Sequence, residues 1–240
     1  MPLDYNNSIP LYLQLKDRLE QKIKNGTYGP KIPSEREIMD EFHVSRSTVR
    51  QAVAELVSNG ILVRRPGRGT FIALKPIDDW LGNLSSTTET IERMGMKSGA
   101  KLLHSEIIDL PSQLKEETGL DRAFHFKRLR YANYTPMGVE SHYYPIPLGE
   151  KINSYDLNKV TLYDLLESKL GIHTFEAEQV IKAGTVSKEE ASLLDIKRNS
   201  SVLFTDRKLV DINGQFVELE RALYRADMYS FKIKLSRKNS

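Results

Sequence analysis

Two groups of side chains in this chain have the types and spacing to recognise anions. The first lies in SRSTVRQAVAELVSNG, where helical periodicity puts Arg46, Ser47, Arg50 and Gln51 on one face and Val49, Ala52, Val53, Leu56 and Val57 on the other. An arginine can donate two hydrogen bonds to a guanine edge, and the hydroxyls of Ser45, Ser47 and Thr48 can reach bases or phosphates. The second group is Arg128 and Arg130, two apart in a β-rich run, so both project from one face of a strand. Paired guanidiniums suit a phosphate or a carboxylate, and basic decoration of an exposed strand is the competing reading. SSTTE at 85–89 precedes a helical run. Its hydroxyls and first amides could hold an anion or simply cap the helix, and Thr161 ahead of LYDLL has the same two readings.

The elements around the first group arrive in a telling order. In PLYLQLKDRLEQKIKNG, Leu11, Leu15, Leu19 and Ile23 form one apolar stripe, Pro10 suits the first turn and Gly26 the stop. Ser34 with Glu37 has the spacing of a capping box, and predicts a helix to about Phe42 with Ile38, Met39 and Phe42 turned inward. After a short turn at His43 and Val44, Ser45 caps a second helix that Gly60 stops. ILVRRPGRGTFIAL then reads as a hairpin with a basic, Gly-rich tip. Helix, turn, basic helix and basic hairpin together describe a winged helix-turn-helix that reads double-stranded DNA. Arg68 at the tip would enter a minor groove, and Arg64 and Arg65 would meet phosphates.

Charge follows the same division. Of the 35 Lys/Arg and 32 Asp/Glu in 240 residues, residues 1–75 hold 12 basic against 8 acidic, and the remainder 23 against 24. The positive excess therefore sits wholly in the part expected to meet a polyanion, and a structural nucleoid protein with a basic body is disfavoured. No apolar run approaches the ~18–20 residues that span a bilayer, and the first residues have no signal-peptide pattern. The lack of cysteine excludes thiol catalysis and Cys-ligated zinc, and permits a cytoplasmic location. The five histidines, His43, His104, His125, His142 and His173, show no metal-ligand spacing along the chain, so neither a metal nor a cofactor is expected. A Walker loop and a nucleophile elbow are likewise absent.

The expected division is a DNA-binding domain at 1–74, a linker at 75–83 containing Pro76 and Gly82, and a second domain at 84–240. In the second domain the patterning predicts strands near 101–109, 123–133, 137–146, 174–184, 201–211, 215–226 and 229–236, and helices near 86–95, 161–170 and 187–194. Short connections such as DINGQ favour an antiparallel sheet, so the fold class is α+β.

PSERE, VSRSTVRQAVAELVSNGIL and GRGTF resemble the GntR family of bacterial regulators over about residues 8–73. The resemblance implies DNA contacts at Arg36, Arg46, Thr48, Arg50 and Gly69. Ile32 stands where the family often has Leu, and His43 where Gly or another small residue is frequent. LRYANYTPMGVESHYYP, TLYDLLESKLGI and FVELERALYRADMYSFKIKLSR resemble the UTRA effector domain of the HutC subfamily, similar in fold to chorismate lyase, over about residues 79–238. UTRA domains sense small metabolites, in several members sugar phosphates such as glucosamine-6-phosphate. By that likeness Thr87, Thr88, Arg128, Arg130 and Thr161 fall on the phosphate side, and Glu140, Tyr163, Glu218 and Tyr224 face the rest of the ligand. Thr87 replaces an aromatic residue and Thr161 a serine, and His142 adds a group able to alter selectivity. Either glutamate could instead pair with Arg221 or Arg225. The likeness also implies a homodimer that represses from a pseudo-palindromic operator. A carboxylate or phosphonate effector is the alternative, and a lyase-like enzyme a remote one.

Overall fold

The structure is a computed structural model that describes residues 3–5, 7–73 and 77–236. It separates into two compact units, Met1–Lys75 and Pro76–Ser240.

In the first unit three helices, α1 (Leu11–Lys24), α2 (Glu35–Phe42) and α3 (Arg46–Ser58), precede a hairpin of β1 (Leu62–Arg65) and β2 (Gly69–Ile72). Leu15 and Leu19 of α1, Ile38 of α2, and Val49, Ala52, Val53 and Leu56 of α3 form one buried core, with Leu11, Ile23, Met39, Phe42 and Val57 at its margin. Ser34 makes the full capping box with Glu37, and the Ser45 hydroxyl accepts from the Thr48 amide at 3.3 Å. Between the two helices His43 has φ 53°, a left-handed conformation that costs a side chain of this size and explains why glycine suits the position. The hairpin tip turns through Gly67 (φ 70°) and Gly69 (φ 110°). The backbone conformation requires glycine at Gly69; a Cβ there would meet only the Lys31 side chain, 2.5 Å from its Cε, which is free to swing aside.

The second unit is built on a six-stranded sheet in the order β4-β5-β6-β9-β8-β7. Its strands are β4 (Ser98–Asp109), β5 (Arg122–Ala132), β6 (Thr135–Tyr144), β7 (Thr174–Thr185), β8 (Ser201–Asp211) and β9 (Phe216–Arg225), paired antiparallel throughout. Alternation along each strand sends side chains to two faces. One face packs Phe124, Phe126 and Tyr144 against Ile152 of α6 (Ile146–Asn153), and against Leu162, Leu165 and Leu166 of α7 (Leu162–Asp164, continued by a π-helical turn Leu165–Lys169). The other packs Leu129, Val139, Val202 and Leu223 against Ala191 and Leu194 at α8 (Lys188–Leu193), with Leu219 against Leu114 of α5 (Ser112–Thr118).

Three sequence expectations change. Residues 77–80, read as linker, are a strand, β3 (Ile77–Trp80), paired in parallel with β10 (Tyr229–Lys232). The polar IDDW is satisfied there by that partner: Ile77 is fully buried, Tyr229 donates to Asp79 at 2.9 Å and Ser230 to Asp78 at 2.7 Å. The rest of the expected linker that precedes it, 75 and 76, lies outside the described residues. The last expected strand, 229–236, is accordingly short and belongs to this parallel pair, not to the main sheet. Helices α5 and α6 have no counterpart in the sequence reading. Each starts after a proline without a side-chain cap, and α6 contains Gly149, which lets it approach so closely that a Cβ would fall 2.1 Å from Cβ of Phe124. Helix α4 (Thr87–Arg93) opens on a capping box between Ser86 and Glu89.

Ser45 is the cap on which the start of α3 depends. Ser45→Ala is expected to lower the stability of the first unit by about 1 kcal/mol in urea unfolding, while Ser45→Asp retains it.

Candidate effector site and DNA-reading face

The central strands carry charge on the face that packs α7. Arg128 and Arg130 of β5, Glu140 and His142 of β6, Arg207 of β8, and Glu218 and Glu220 of β9 all project there, together with Tyr163 of α7 and Ser86, Thr87 and Thr88 at the start of α4. Arg128, Arg130, Glu140, His142, Glu218 and Glu220 are each 1–2 % exposed. Cross-strand register sets the pairs. Arg128 lies opposite Glu140, His142 opposite Glu220, and Glu220 opposite Arg207.

Glu140 is the hub. Its Oε2 accepts from Arg128 Nη2 and Arg130 Nη1, both at 3.2 Å, and lies 3.3 Å from His142 Nε2. Its Oε1 accepts from the Tyr224 hydroxyl at 3.2 Å. Burial opposes its ionisation, but Arg130, the His142 hydrogen bond and Arg128 outweigh burial and hold the carboxyl well below the usual range. His142 also meets Glu218, Nδ1 to Oε1 at 2.6 Å, and the Tyr144 hydroxyl donates to the same oxygen at 2.6 Å. Burial disfavours the imidazolium, yet the two carboxylates prevail and raise His142 above its ordinary value. Arg207 pairs with Glu220 and donates to the Ser85 carbonyl at 3.3 Å. Thr88 accepts from Arg130 Nη2 at 2.8 Å, and Thr87 shares a hydrogen bond with the Tyr224 hydroxyl at 3.1 Å.

Polar capacity remains unspent in this cluster. The Nε groups of Arg128, Arg130 and Arg207 and the hydroxyl of Tyr163 are buried without a hydrogen-bond partner. Burial raises the Tyr163 hydroxyl, so it keeps its proton and can donate. The cavity they line has room for little more than one water. Any organic ligand must therefore move a wall, and the walls not locked in the sheet are α4 and α7.

Most of the residues expected on the effector side meet here. Thr87, Thr88, Arg128, Arg130, Glu140, Tyr163 and Glu218 line the cavity, and Tyr224 reaches it through Glu140. Thr161 does not: it is half-buried at the start of α7, makes no side-chain cap, and leaves the lining to Leu162 and Tyr163. The competing partners for the glutamates are engaged elsewhere, Arg221 with Glu117 and Asp206, Arg225 with Asp227. Sequence reasoning missed Arg207 and Glu220. Glu220 is two residues from Glu218 and so shares its face, a signal present in the sequence, but Arg207 needed the β8–β9 register. Spacing along the chain also could not show two groupings of possible metal ligands that the strands bring together, His104 with Glu106 and His125, and Glu140 with His142 and Glu220.

In the first unit Arg36, Ser45, Arg46, Ser47, Arg50, Gln51, Arg68 and Gly69 are exposed. Thr48 is half-buried, 2.9 Å from the Ser45 hydroxyl. Glu35 of α2 accepts from Arg46 Nε at 3.4 Å and steadies it at the exposed start of α3. Arg64 is exposed, and Arg65 is half-buried with its guanidinium 4.7 Å from the Phe71 ring centre, a contact through the face of the guanidinium that leaves its in-plane N–H groups able to donate. Lys31, whose side chain lies against Gly69, adds a cation to this surface that the sequence reading did not include.

A basic helix followed by a wing, with a separate antiparallel-sheet domain around buried arginines, has the architecture of a DNA-binding transcription regulator. Residues 11–72 match the family described as bacterial regulatory proteins, gntR family, and residues 93–230 match the UTRA domain. The chain belongs to the GntR family of regulators and carries a UTRA domain, consistent with the HutC subfamily. It is 34% identical over 236 residues to the HTH-type transcriptional repressor NagR of Bacillus subtilis, covering 96% of this chain and 97% of that one. It is 28% identical to the mannosyl-D-glycerate transport/metabolism system repressor MngR of Escherichia coli, covering 96% and 98%. The solved structure of PhnF from Mycobacterium smegmatis superposes with a TM-score of 0.66 at 26% identity, covering 93% of this chain and all of that one. NagR and MngR are both named as repressors, and this protein is a transcription regulator of the same family. Among the described residues no helix is long and apolar enough to cross a membrane.

His142 links stability to pH. Its folded value is raised, so its contribution is full below its unfolded value of about 6.5 and is lost as pH rises through the folded value. In urea unfolding, the stability gap between wild type and His142→Gln should narrow from pH 6 to pH 9. A gap that widens over that range would show that His142 is neutral in the fold.

Proposed function

We propose that this chain is a repressor that binds operator DNA as a homodimer, one head per half-site, in the cytoplasm, and that a small phosphorylated metabolite of the sugar-phosphate or amino-sugar-phosphate class controls its affinity. The observation that carries the effector reading is the convergence of Arg128 and Arg130 on a single oxygen of Glu140 inside a buried cavity. Two guanidiniums sharing one carboxylate oxygen, with unpartnered Nε groups and the Thr87 and Thr88 hydroxyls beside them, suit a dianion with several acceptor oxygens better than one carboxylate. Glu218, His142 and Tyr163 supply acceptors and a donor for hydroxyl or amine groups on the rest of such a molecule. NagR and MngR, both named as repressors, lend weight to the direction of control.

The proposed coupling runs through the wall that must move. A phosphate group taking Arg130 from Thr88 would displace α4. Arg207 holds the Ser85 carbonyl just before that helix, and Ser85 follows the β3 strand where the second unit begins. A tenfold fall in operator affinity needs a coupling of only about 1.4 kcal/mol.

A thermal-shift panel of sugar phosphates, amino-sugar phosphates, phosphonates and sugar acids tests the effector. At ~100 times its dissociation constant a ligand stabilises by about 2.7 kcal/mol. A phosphorylated compound should raise the melting temperature of the wild type and fail to do so for Arg130→Lys, which keeps the charge and loses the planar fork. If only unphosphorylated acids shift the wild type, the effector is a carboxylate. The DNA half is tested by Arg46→Ala, expected to weaken operator binding at least tenfold with effector affinity unchanged. Wild-type operator affinity in that variant would remove α3 from the interface.

A further inference from the structure

We propose that a divalent transition metal of the zinc type binds at the β4 edge of the large sheet, held by His104 Nε2, His125 Nδ1 and the carboxylate of Glu106. One ligand atom from each of these side chains lies within 4.8 Å of the others. His104 and Glu106 are exposed on β4, and His125, directly opposite Glu106 on β5, is buried.

The spacing of the two rings is the first argument. His104 Nε2 and His125 Nδ1 are 3.4 Å apart. An imidazole–imidazole hydrogen bond would normally bring them to about 2.9 Å. Two nitrogens on one tetrahedral ion, each bonded at ~2.0–2.1 Å, stand about 3.3 Å apart. The pair is therefore already at the separation a shared ion requires, and the exposed Glu106 needs only a side-chain rotation to close the third corner.

The backbone supplies the second. Pairing of β4 with β5 slips between Leu102 and His104, a β-bulge at Leu103. Leu102 lies opposite Arg128 and packs into the apolar cluster of the effector face, so in regular alternation His104 would share that face. Leu103 turns to the cluster of the opposite face as alternation requires, and the bulge keeps His104 on that same face, beside His125. Bulges that re-aim one side chain are frequent at functional sites.

His125 is preorganised as a ligand. Its ring stacks on Tyr143 at 4.6 Å, which holds the imidazole in place on the face it shares with His104 and Glu106. Its Nε2 has no hydrogen-bond partner, which leaves the ring fixed by stacking alone and points to moderate, not tight, affinity. Two imidazoles and one carboxylate select zinc, cobalt, nickel or copper over magnesium or calcium, and they leave one coordination position for water or an incoming ligand. Lys127, opposite His104, is half-exposed and can turn its charge into solvent. The other acid-histidine group, Glu140 with His142 and Glu220, is a poor site because Arg128, Arg130 and Arg207 already neutralise it. A bound ion would clip the edge strand β4 to β5.

The test uses the untagged full chain, stripped with chelator and titrated calorimetrically with zinc, with magnesium as control. The wild type should take up one zinc per chain, and cobalt in its place should give the visible absorption of a tetrahedral ion. The double variant His104→Ala/Glu106→Gln, altered only at exposed positions, should keep the melting temperature measured in chelator and lose at least tenfold in zinc affinity. A wild type that binds no zinc, or a double variant that binds it as tightly, overturns the proposal. Neither outcome bears on the effector cavity, which these substitutions do not touch.

Discussion

The second unit depends on keeping Arg128 and Arg130 charged in the middle of a sheet. A guanidinium does not lose its proton inside a protein, and moving one out of water costs several kcal/mol even after relaxation. Here two are almost fully buried, two residues apart, and Glu140 meets both through one oxygen. That bridge works only if β5 and β6 pair in the observed register, because a slip of one residue would turn Glu140 to the opposite face. Gly138 belongs to the same constraint. A Cβ there would lie 2.5 Å from the Tyr224 ring, whose hydroxyl completes the shell of Glu140.

A cluster of this kind is a weak source of stability. Apolar side chains of similar volume would often serve folding as well or better, so its presence points to recognition. The orphaned Nε groups point the same way, since folding alone would leave few buried donors unmet. The arrangement resembles a hand already closed on its own carboxylate. On the proposed reading, a competing anion would replace Glu140 as the partner of at least one arginine, and the Thr87 and Thr88 hydroxyls would follow. Selectivity would then come from what accompanies the anion, where Glu218 and His142 form a second, linked pair.

The first unit works under a different constraint. Its helices bury apolar stripes that are nearly complete in the sequence, and charge is left to the surface. Caps at Ser34 and Ser45 fix where α2 and α3 begin, so the exposed arginines of α3 occupy its first two turns. The wing depends on two glycines in left-handed backbone and on Arg65 stacked against Phe71. The tip can then present Arg68 without a large apolar core beneath it.

By itself the sequence determined what is local. The stripe of Leu11, Leu15, Leu19 and Ile23 at every fourth residue, the capping pair Ser34–Glu37 and the Gly-rich tip each concern contacts a few residues apart, where periodicity and turn chemistry act directly. The long strands were legible for the same reason, and Arg128 with Arg130 could be put on one face by parity alone. What lay between distant strands was not legible. The partnership of Arg207 with Glu220, the turning of His104 toward His125 by a bulge, and the conversion of the polar IDDW into a strand beside Tyr229–Lys232 are set by register and by pairing across the chain. Helix α6 hid because a proline and a glycine, ordinarily helix-breaking residues, are there the means of close packing on Phe124. Tertiary structure decided these matters because the desolvation of a buried charge is settled only by the particular group that ends up facing it.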